Sequence, residues 1–235
     1  MEPKDRICVA LDVPTLEEAK QLAGELAEHV GYFKIGFELF TAVGPEVVRM
    51  IQESGGQVFL DLKYNDIPNT MAGAAKAASA LGVAIFNVHA SAGLQALRDT
   101  NANKGNSKVI AVTVLTSLDD EACLNIFGDD VLATVNGFAR DAQDCSLDGV
   151  VCSPQELAMI RGDDYFDKEF LCVTPAIRPL WSVPSDQARP TTPADAIKAG
   201  SSILVIGRPI TKPPAEIGSS VEAAKRIAEE IASAL

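Results

Sequence analysis

The chain has 235 residues and a formal net charge of −12, with 47% hydrophobic and 22% charged residues. This composition is typical of a globular protein with a large core, and its acidity argues against a nucleic-acid surface. No apolar run reaches the roughly 18 residues of a membrane span, and no linker-like segment interrupts the chain. We therefore expect a cytoplasmic protein, without membrane attachment, that forms a single domain over residues 1–235.

Short apolar runs alternate with helical patterns along the chain. The first helical segment, TLEEAKQLAGELAEHV, has Thr15 and Glu18 as a capping box, and the last has Ser220 as its expected N-cap. Eight such units over this length predict a parallel (β/α)₈ TIM barrel, with a doubly wound open sheet as the alternative. The predicted strands are residues 7–13, 32–37, 57–63, 83–89, 108–115, 148–153, 170–175 and 202–207.

The third predicted strand ends in a dense group of charges, in the stretch FLDLKYNDIPNT. In an extended strand Asp61 and Lys63 point to one face and the neighbouring leucines point to the other. If the leucines face the helices, both charges face the barrel axis, and Asp66 follows shortly after. Barrel enzymes build their active sites at these carboxyl ends of the strands.

The first two predicted strands add charges by the same alternation, Asp12 in CVALDV and Lys34 in YFKIGFEL. Three successive strands thus bring acidic and basic side chains to one mouth of the barrel. These groups could simply pair and neutralise one another. Because clusters of perturbed ionisable groups gather at active sites, we favour a functional interpretation.

A second group of signals follows the predicted seventh and eighth strands, with Arg178 in TPAIRP and Gly207-Arg208 in IGRP. Loops after these two strands are the usual phosphate site of the barrel fold. The alternative for the second motif is an ordinary tight turn with a solvated arginine. The long segment at residues 177–193 has two interpretations, a lid or a disordered loop.

Polar residues elsewhere in the chain have more than one interpretation. Thr116 and Ser117 end the predicted fifth strand and either bind a polar ligand edge or cap the next helix. The five cysteines are widely spaced, without a CxxC pair, and are expected to be buried and free. No metal-ligand spacing and no GxGxxG motif after a strand occurs, so the sequence predicts a site without a cofactor.

Nine segments in this order resemble the bacterial type of orotidine 5′-phosphate decarboxylase: VALDV, FKIG, FLDLKYNDIPNT, NVHAS, VTVLTS, DGVVCS, TPAIRP, DQARPTTP and VIGRPIT. DLKxxDIPNT is a specific signature, and the resemblance covers nearly the whole chain. It implies a homodimeric barrel that converts orotidine 5′-monophosphate to uridine 5′-monophosphate and CO₂, the last step of de novo pyrimidine synthesis, without metal or organic cofactor.

The resemblance also implies roles for individual residues. Lys63 would protonate C6 of the pyrimidine as CO₂ leaves, and Asp61 would lie against the substrate carboxylate. Lys34 would join Asp61, Lys63 and Asp66 in an alternating network of catalytic charges, with Asp66 and Thr70 contributed to the partner subunit's site. The implied substrate-binding set is Asp12, Lys34, Asp61, Lys63, Asp66, Ile67, Thr70, Thr116, Arg178, Gln187, Gly207 and Arg208.

Two positions depart from the family pattern. Asn65 stands where many relatives have histidine, and Ala176 replaces the glycine of TPGIRP. Ala176 would disturb the backbone before Arg178 if that position requires a positive φ.

Two other functions remain as alternatives. One is a metal-dependent sugar-phosphate decarboxylase or aldolase of the same barrel suprafamily, and the other is a non-catalytic nucleotide sensor. Metal dependence would identify the first, and absence of turnover would identify the second.

Overall fold

In the computed structural model, which describes residues 1–182 and 191–235, eight parallel strands form one closed barrel in chain order. The predicted barrel is confirmed, and the open-sheet alternative is wrong. The strands are β1 (Ile7–Ala10), β2 (Tyr32–Ile35), β3 (Val58–Tyr64), β4 (Ile85–His89), β5 (Lys108–Val112), β6 (Gly149–Val151), β7 (Leu171–Thr174) and β8 (Ile203–Ile206).

Several predicted strands extend past the observed ones at the carboxyl end. β1 ends at Ala10 although Leu11 and Val13 are buried, and β5 ends at Val112 although Val114 is buried. These apolar residues pack in the core without belonging to a strand. The apolar run therefore follows burial and extends beyond the regular strand, although the Leu11 N–H still donates to the Lys34 carbonyl at 3.0 Å.

Helices follow or separate the strands, and short 3₁₀ turns occupy Pro3–Arg6 and Ala90–Ala92. The described helices are α1 (Leu16–Leu26), α2 (Phe37–Val43), α3 (Glu46–Glu53), α4 (Pro68–Ala80), α5 (Leu94–Ala102), α6 (Asp120–Phe127), α7 (Val131–Asp144), α8 (Leu157–Arg161), α9 (Pro193–Lys198), α10 (Arg208–Thr211) and α11 (Ser220–Ala232).

The helix caps agree with the sequence at one end of the chain and differ by one residue at the other. Thr15 Oγ1 accepts the Glu18 N–H at 3.3 Å, as expected for the N-cap of α1. For α11 the cap is Ser219, whose hydroxyl accepts the Glu222 N–H at 3.1 Å. The prediction of Ser220 was wrong because either adjacent serine satisfies the sequence pattern, and the backbone geometry selects the first.

The chain divides into two compact units, residues 1–61 with 174–235 and residues 62–173. Within the first unit β1 pairs with β2 and β8, and β2 pairs with β3. Within the second unit β4, β5, β6 and β7 pair in succession. A single domain over residues 1–235 remains our proposal.

Each unit contains its own buried apolar side chains. Phe33 and Ile35 of β2 are buried in the first unit, and Phe86 of β4 and Ile110 of β5 are buried in the second. All five cysteines are free and buried, as predicted. Among the described residues, no helix combines the length and apolar character needed to cross a bilayer.

Candidate active site

In the first unit, one ammonium group joins two carboxylates. Lys34 Nζ lies 3.2 Å from Asp12 Oδ1 and 3.3 Å from Asp61 Oδ2. Lys34 is the third residue of β2 and pairs with Ala10 of β1 on one side and Phe59 of β3 on the other. Asp12 and Asp61 each follow two residues after these partners, Asp12 just past the end of β1 and Asp61 within β3. Side-chain alternation therefore brings these three residues together, and the prediction that Asp12, Lys34 and Asp61 share one face is confirmed.

The three side chains of the array differ in their exposure to solvent. The side chains of Lys34 and Asp61 are 11% and 12% exposed, whereas that of Asp12 is 64% exposed. Burial lowers the pKa of Lys34, but the charges of Asp61 and Asp12 more than offset this, so the pKa lies above its ordinary value. Lys34 is therefore a firmly held cation that fixes one buried and one solvent-facing carboxylate.

Gly36 makes room for this array and was not identified from the sequence. A Cβ at Gly36 would lie 3.2 Å from Lys34 Nζ and 3.7 Å from Asp12 Oδ1. Such a contact is tighter than most carbon contacts in proteins, so a side chain here would require the ammonium to shift by a few tenths of an ångström. The motif FKIG carried this signal, since a glycine two residues after a strand lysine lies on the same side of the chain and permits close approach.

In the second unit, the backbone of Lys63 is unusual for a strand residue. Its φ is +44°, in the left-handed region that few side chains other than glycine adopt. The Lys63 N–H donates to Asn87 Oδ1 at 2.8 Å, and Asn87 is 1% exposed. Strict alternation from Asp61 assumed extended backbone at Lys63, and this φ departs from it. Asn87 was not among the predicted site residues.

Three predicted site residues lie at the start of α4. Asp66, Ile67 and Thr70 are all exposed, and the Ile67 N–H donates to Asp66 Oδ1 at 2.7 Å. This local bond holds the Asp66 carboxylate at the beginning of the helix. An exposed isoleucine between two exposed polar residues presents a mixed surface suited to contact with another molecule.

Thr116 lies beyond its predicted position. β5 ends at Val112, and Thr116 is exposed in the turn that follows. The cap of α6 is Asp119, whose side chain accepts the Ala122 N–H at 2.9 Å. The alternative that Thr116 or Ser117 caps this helix is therefore wrong, which leaves Thr116 available for a ligand role.

The predicted phosphate residues lie after β7 and β8. Gly207 directly follows β8 and is adjacent to Asp12, because a Cβ at Gly207 would lie 3.8 Å from Asp12 Oδ2. Arg208 begins α10 and is exposed. Arg178 is half-buried, and its N–H donates to the Thr191 carbonyl at 2.9 Å. Gln187 lies outside the described residues, as does part of the predicted lid.

Ala176 adopts the conformation that the sequence comparison singled out. Its φ is +67°, so the position requires the left-handed region where the family pattern has glycine. An alanine there costs about 1 kcal/mol relative to glycine. The strain lies two residues before Arg178.

The described parts of the chain, residues 1–182 and 191–235, contain no group of three or more histidine, cysteine, aspartate or glutamate side chains arranged to hold a metal ion. The titratable groups described above form a lysine–carboxylate arrangement instead. Such an arrangement is suited to electrostatic stabilisation and proton transfer.

Comparison with known proteins connects this arrangement to a family. The orotidine 5′-phosphate decarboxylase of Moorella thermoacetica is 48% identical over 98% of this chain and 94% of that protein. The enzyme of the same name from Heliobacterium modesticaldum is 45% identical over 100% of this chain and 99% of that protein. The crystal structure of orotidine 5′-phosphate decarboxylase from Lactobacillus acidophilus matches with a TM-score of 0.80 and 33% identity, covering 96% of this chain and 98% of that one.

A family model described as "Orotidine 5'-phosphate decarboxylase / HUMPS family" matches residues 5–227. This match includes every described site residue discussed above. The chain belongs to the orotidine 5′-phosphate decarboxylase / HUMPS family.

Proposed function

We propose that this chain decarboxylates orotidine 5′-monophosphate to uridine 5′-monophosphate and CO₂, as a carboxy-lyase of pyrimidine biosynthesis. The names of relatives at 42–48% identity support the substrate. The observation that carries the mechanism is the array in which a nearly buried Lys34 bridges Asp12 and Asp61, with Asp61 on the same strand as Lys63.

The reaction places a specific demand on the site. When the bond between C6 and the carboxylate breaks, its electron pair stays on C6 in the plane of the pyrimidine ring. The ring π-system cannot delocalise this pair, so the site must stabilise it with fixed charges. Lys63 supplies a positive charge and then a proton to C6, which completes uridine 5′-monophosphate.

Asp61 acts on the departing group in this proposal. Its carboxylate is nearly buried and is held 3.3 Å from Lys34 Nζ. Placed against the substrate carboxylate, it opposes a negative charge that disappears as neutral CO₂ leaves. The repulsion is therefore greater before the reaction than after it, an effect of ground-state destabilisation.

The rest of the substrate is held by the polar groups around this array. Asp12 and Lys34 bind ribose hydroxyls, a role supported by the exposure of the Asp12 carboxylate. Thr116 contacts the pyrimidine edge. The phosphate is bound by Arg178, Gln187, Gly207 and Arg208, and its binding energy helps to exclude water from the reacting carbon.

The functional form in this proposal is a cytoplasmic homodimer that needs no metal or organic cofactor. Asp66 and Thr70 reach the partner subunit's site, where Asp66 completes the charge network, and Ile67 contacts the substrate. The exposure of all three residues at the start of α4 supports this assignment. Each site would then depend on the dimer for part of its charge.

The test is turnover of orotidine 5′-monophosphate, followed by loss of the orotate absorbance, with EDTA-treated protein and its Lys63→Ala variant. We expect rapid decay in the wild type without metal and loss of that decay in the variant. Activity that requires added divalent metal and a sugar phosphate would instead support the metal-dependent alternative. Binding of the nucleotide without turnover would support a sensor.

A further inference from the structure

The unusual φ of Lys63 needs an explanation within the second unit. A left-handed conformation at a lysine costs about 1–2 kcal/mol and persists only where surrounding contacts enforce it. The hydrogen bond that the Lys63 N–H makes is itself part-buried. A buried N–H must still find an acceptor, because leaving it without one costs about 1–3 kcal/mol.

Asn87 provides that acceptor through its side chain. Its Oδ1 accepts the Lys63 N–H at 2.8 Å, while its backbone is paired in register with Ile110 of β5. An asparagine that is 1% exposed in a barrel strand is itself unusual, since branched apolar residues dominate such positions. The amide is thus rigidly mounted and directed at the backbone of Lys63.

The residues that follow Lys63 and precede Asn87 make a second contact between the same two segments. The ring of Tyr64 lies 6.1 Å from the ring of Phe86, centroid to centroid, in a tilted arrangement. Phe86 is fully buried. The two contacts flank the peptide bond of Lys63 and Tyr64 and oppose rotation of the strand about its own axis.

We propose that Asn87 is a positioning residue that holds the backbone of Lys63 in its left-handed conformation and thereby aims the ammonium group at the reacting carbon. This inference rests on the proposed decarboxylase function, in which Lys63 stabilises and protonates C6. Asn87 touches the backbone of the catalytic lysine. Its effect on the reaction is exerted through Lys63.

Without the amide acceptor, the strand gains by relaxing toward extended backbone. This relaxation relieves the strain and lets the Lys63 N–H seek a carbonyl instead. It also swings the lysine side chain, and a misplacement of about 1 Å at a reacting group can cost roughly 100-fold in rate. Most of the proposed substrate-binding groups lie elsewhere in the chain, so the loss should appear in kcat much more than in KM.

The experiment compares Asn87→Leu, which has similar volume but no acceptor, with Asn87→Asp, which keeps an oxygen in place. We expect Asn87→Leu to lower kcat by about 30- to 100-fold while KM changes less than about threefold. Asn87→Asp should retain kcat within about tenfold of wild type because its carboxylate accepts the same N–H. Crystal structures of both variants would report φ at Lys63.

The matched control is Ser107→Ala, in the same unit. Ser107 is buried and its hydroxyl donates to the Val83 carbonyl at 2.7 Å, at the start of β5. This variant should lose about 1 kcal/mol of stability and keep wild-type kcat.

The outcomes distinguish the inference from the function beneath it. Wild-type kcat in Asn87→Leu, or an equal loss of kcat in Ser107→Ala, would overturn the positioning role while leaving the decarboxylase intact. Failure of the wild type to decarboxylate orotidine 5′-monophosphate would overturn the proposed function itself. If Asn87→Leu does not fold, a loss of kcat of about 30-fold or more in the folded Asn87→Asp variant would contradict the inference.

Discussion

Two lysine–aspartate clusters in this molecule have similar composition but different connections. In the first cluster, Lys34 of β2 bridges two carboxylates. Asp61 of β3 is nearly buried, and Asp12 after β1 is largely exposed. At the start of β6, Lys104 pairs with Asp148, and both side chains are about one-quarter exposed. Asp148 Oδ2 also accepts the Val109 N–H at 2.8 Å, so this carboxylate is part of the sheet's backbone pairing.

The difference indicates how a structural ion pair is distinguished from a functional one. Asp148 lies directly before β6 and accepts a backbone N–H of the neighbouring strand β5, so its charge supports the fold. Of the carboxylates bound to Lys34, Asp61 lies within β3, and Asp12 lies two residues past the carboxyl end of β1 and presents its oxygen atoms to solvent. Position at the carboxyl end, and a carboxylate open to ligands, therefore indicate function better than ion pairing alone.

The strongest test of this comparison is Lys34→Met, which keeps the length of the side chain and removes its charge. Asp61 would remain nearly buried without its ammonium partner, and the proposed ribose contacts would be lost. We expect kcat/KM for orotidine 5′-monophosphate to fall by about 1,000-fold or more, measured by steady-state kinetics. A loss below about tenfold would show that this array is structural.

Arg208→Ala tests a site cation that is exposed and belongs to no strand. Loss of a charge-assisted phosphate contact should lower kcat/KM by about 100-fold, with little change in Tm. The control is Arg226→Ala on α11, whose exposed guanidinium pairs with Glu222 one turn away. Equal kinetics for the two variants would contradict the phosphate role of Arg208.

Lys104→Met applies the Lys34 substitution to the structural pair. Because both partners are partly exposed, solvent screening limits the loss of stability to about 1 kcal/mol, measured by thermal unfolding. We expect kcat/KM to stay within about twofold of wild type, since the pair lies at the start of its strand. A large kinetic loss with intact folding would remove the distinction between the clusters.

The smallest expected effect concerns backbone strain at the carboxyl end of β7. Ala176→Gly should raise stability by about 0.5–1 kcal/mol, or Tm by about 1–4 °C, because glycine adopts positive φ without steric cost. Ala199→Gly, at the C-cap of α9 with a φ of −73°, should be neutral or destabilising. A lower Tm for Ala176→Gly would show that other contacts favour the alanine.

Much of the fold and part of the site could be predicted from local patterns. Eight apolar runs located all the strands, and period-two alternation placed Asp12, Lys34 and Asp61 on one face. These predictions succeeded because a strand has a fixed side-chain period and a parallel barrel has one end for its strand termini.

Other features depend on contacts between residues distant in sequence. In our inference, Asn87 holds the left-handed backbone of Lys63 from 24 positions away in the sequence. No local sequence pattern predicts this conformation. The space that Gly36 leaves matters only once Lys34 and Asp12 meet.

Chain order and residue type were sufficient to specify a barrel and the strands that carry its charges, because hydrophobic burial and alternation act locally. The direction of each charged group required the folded molecule. Backbone strain, close approach and burial are properties of three-dimensional packing, and the same residue types in an extended chain would have none of them.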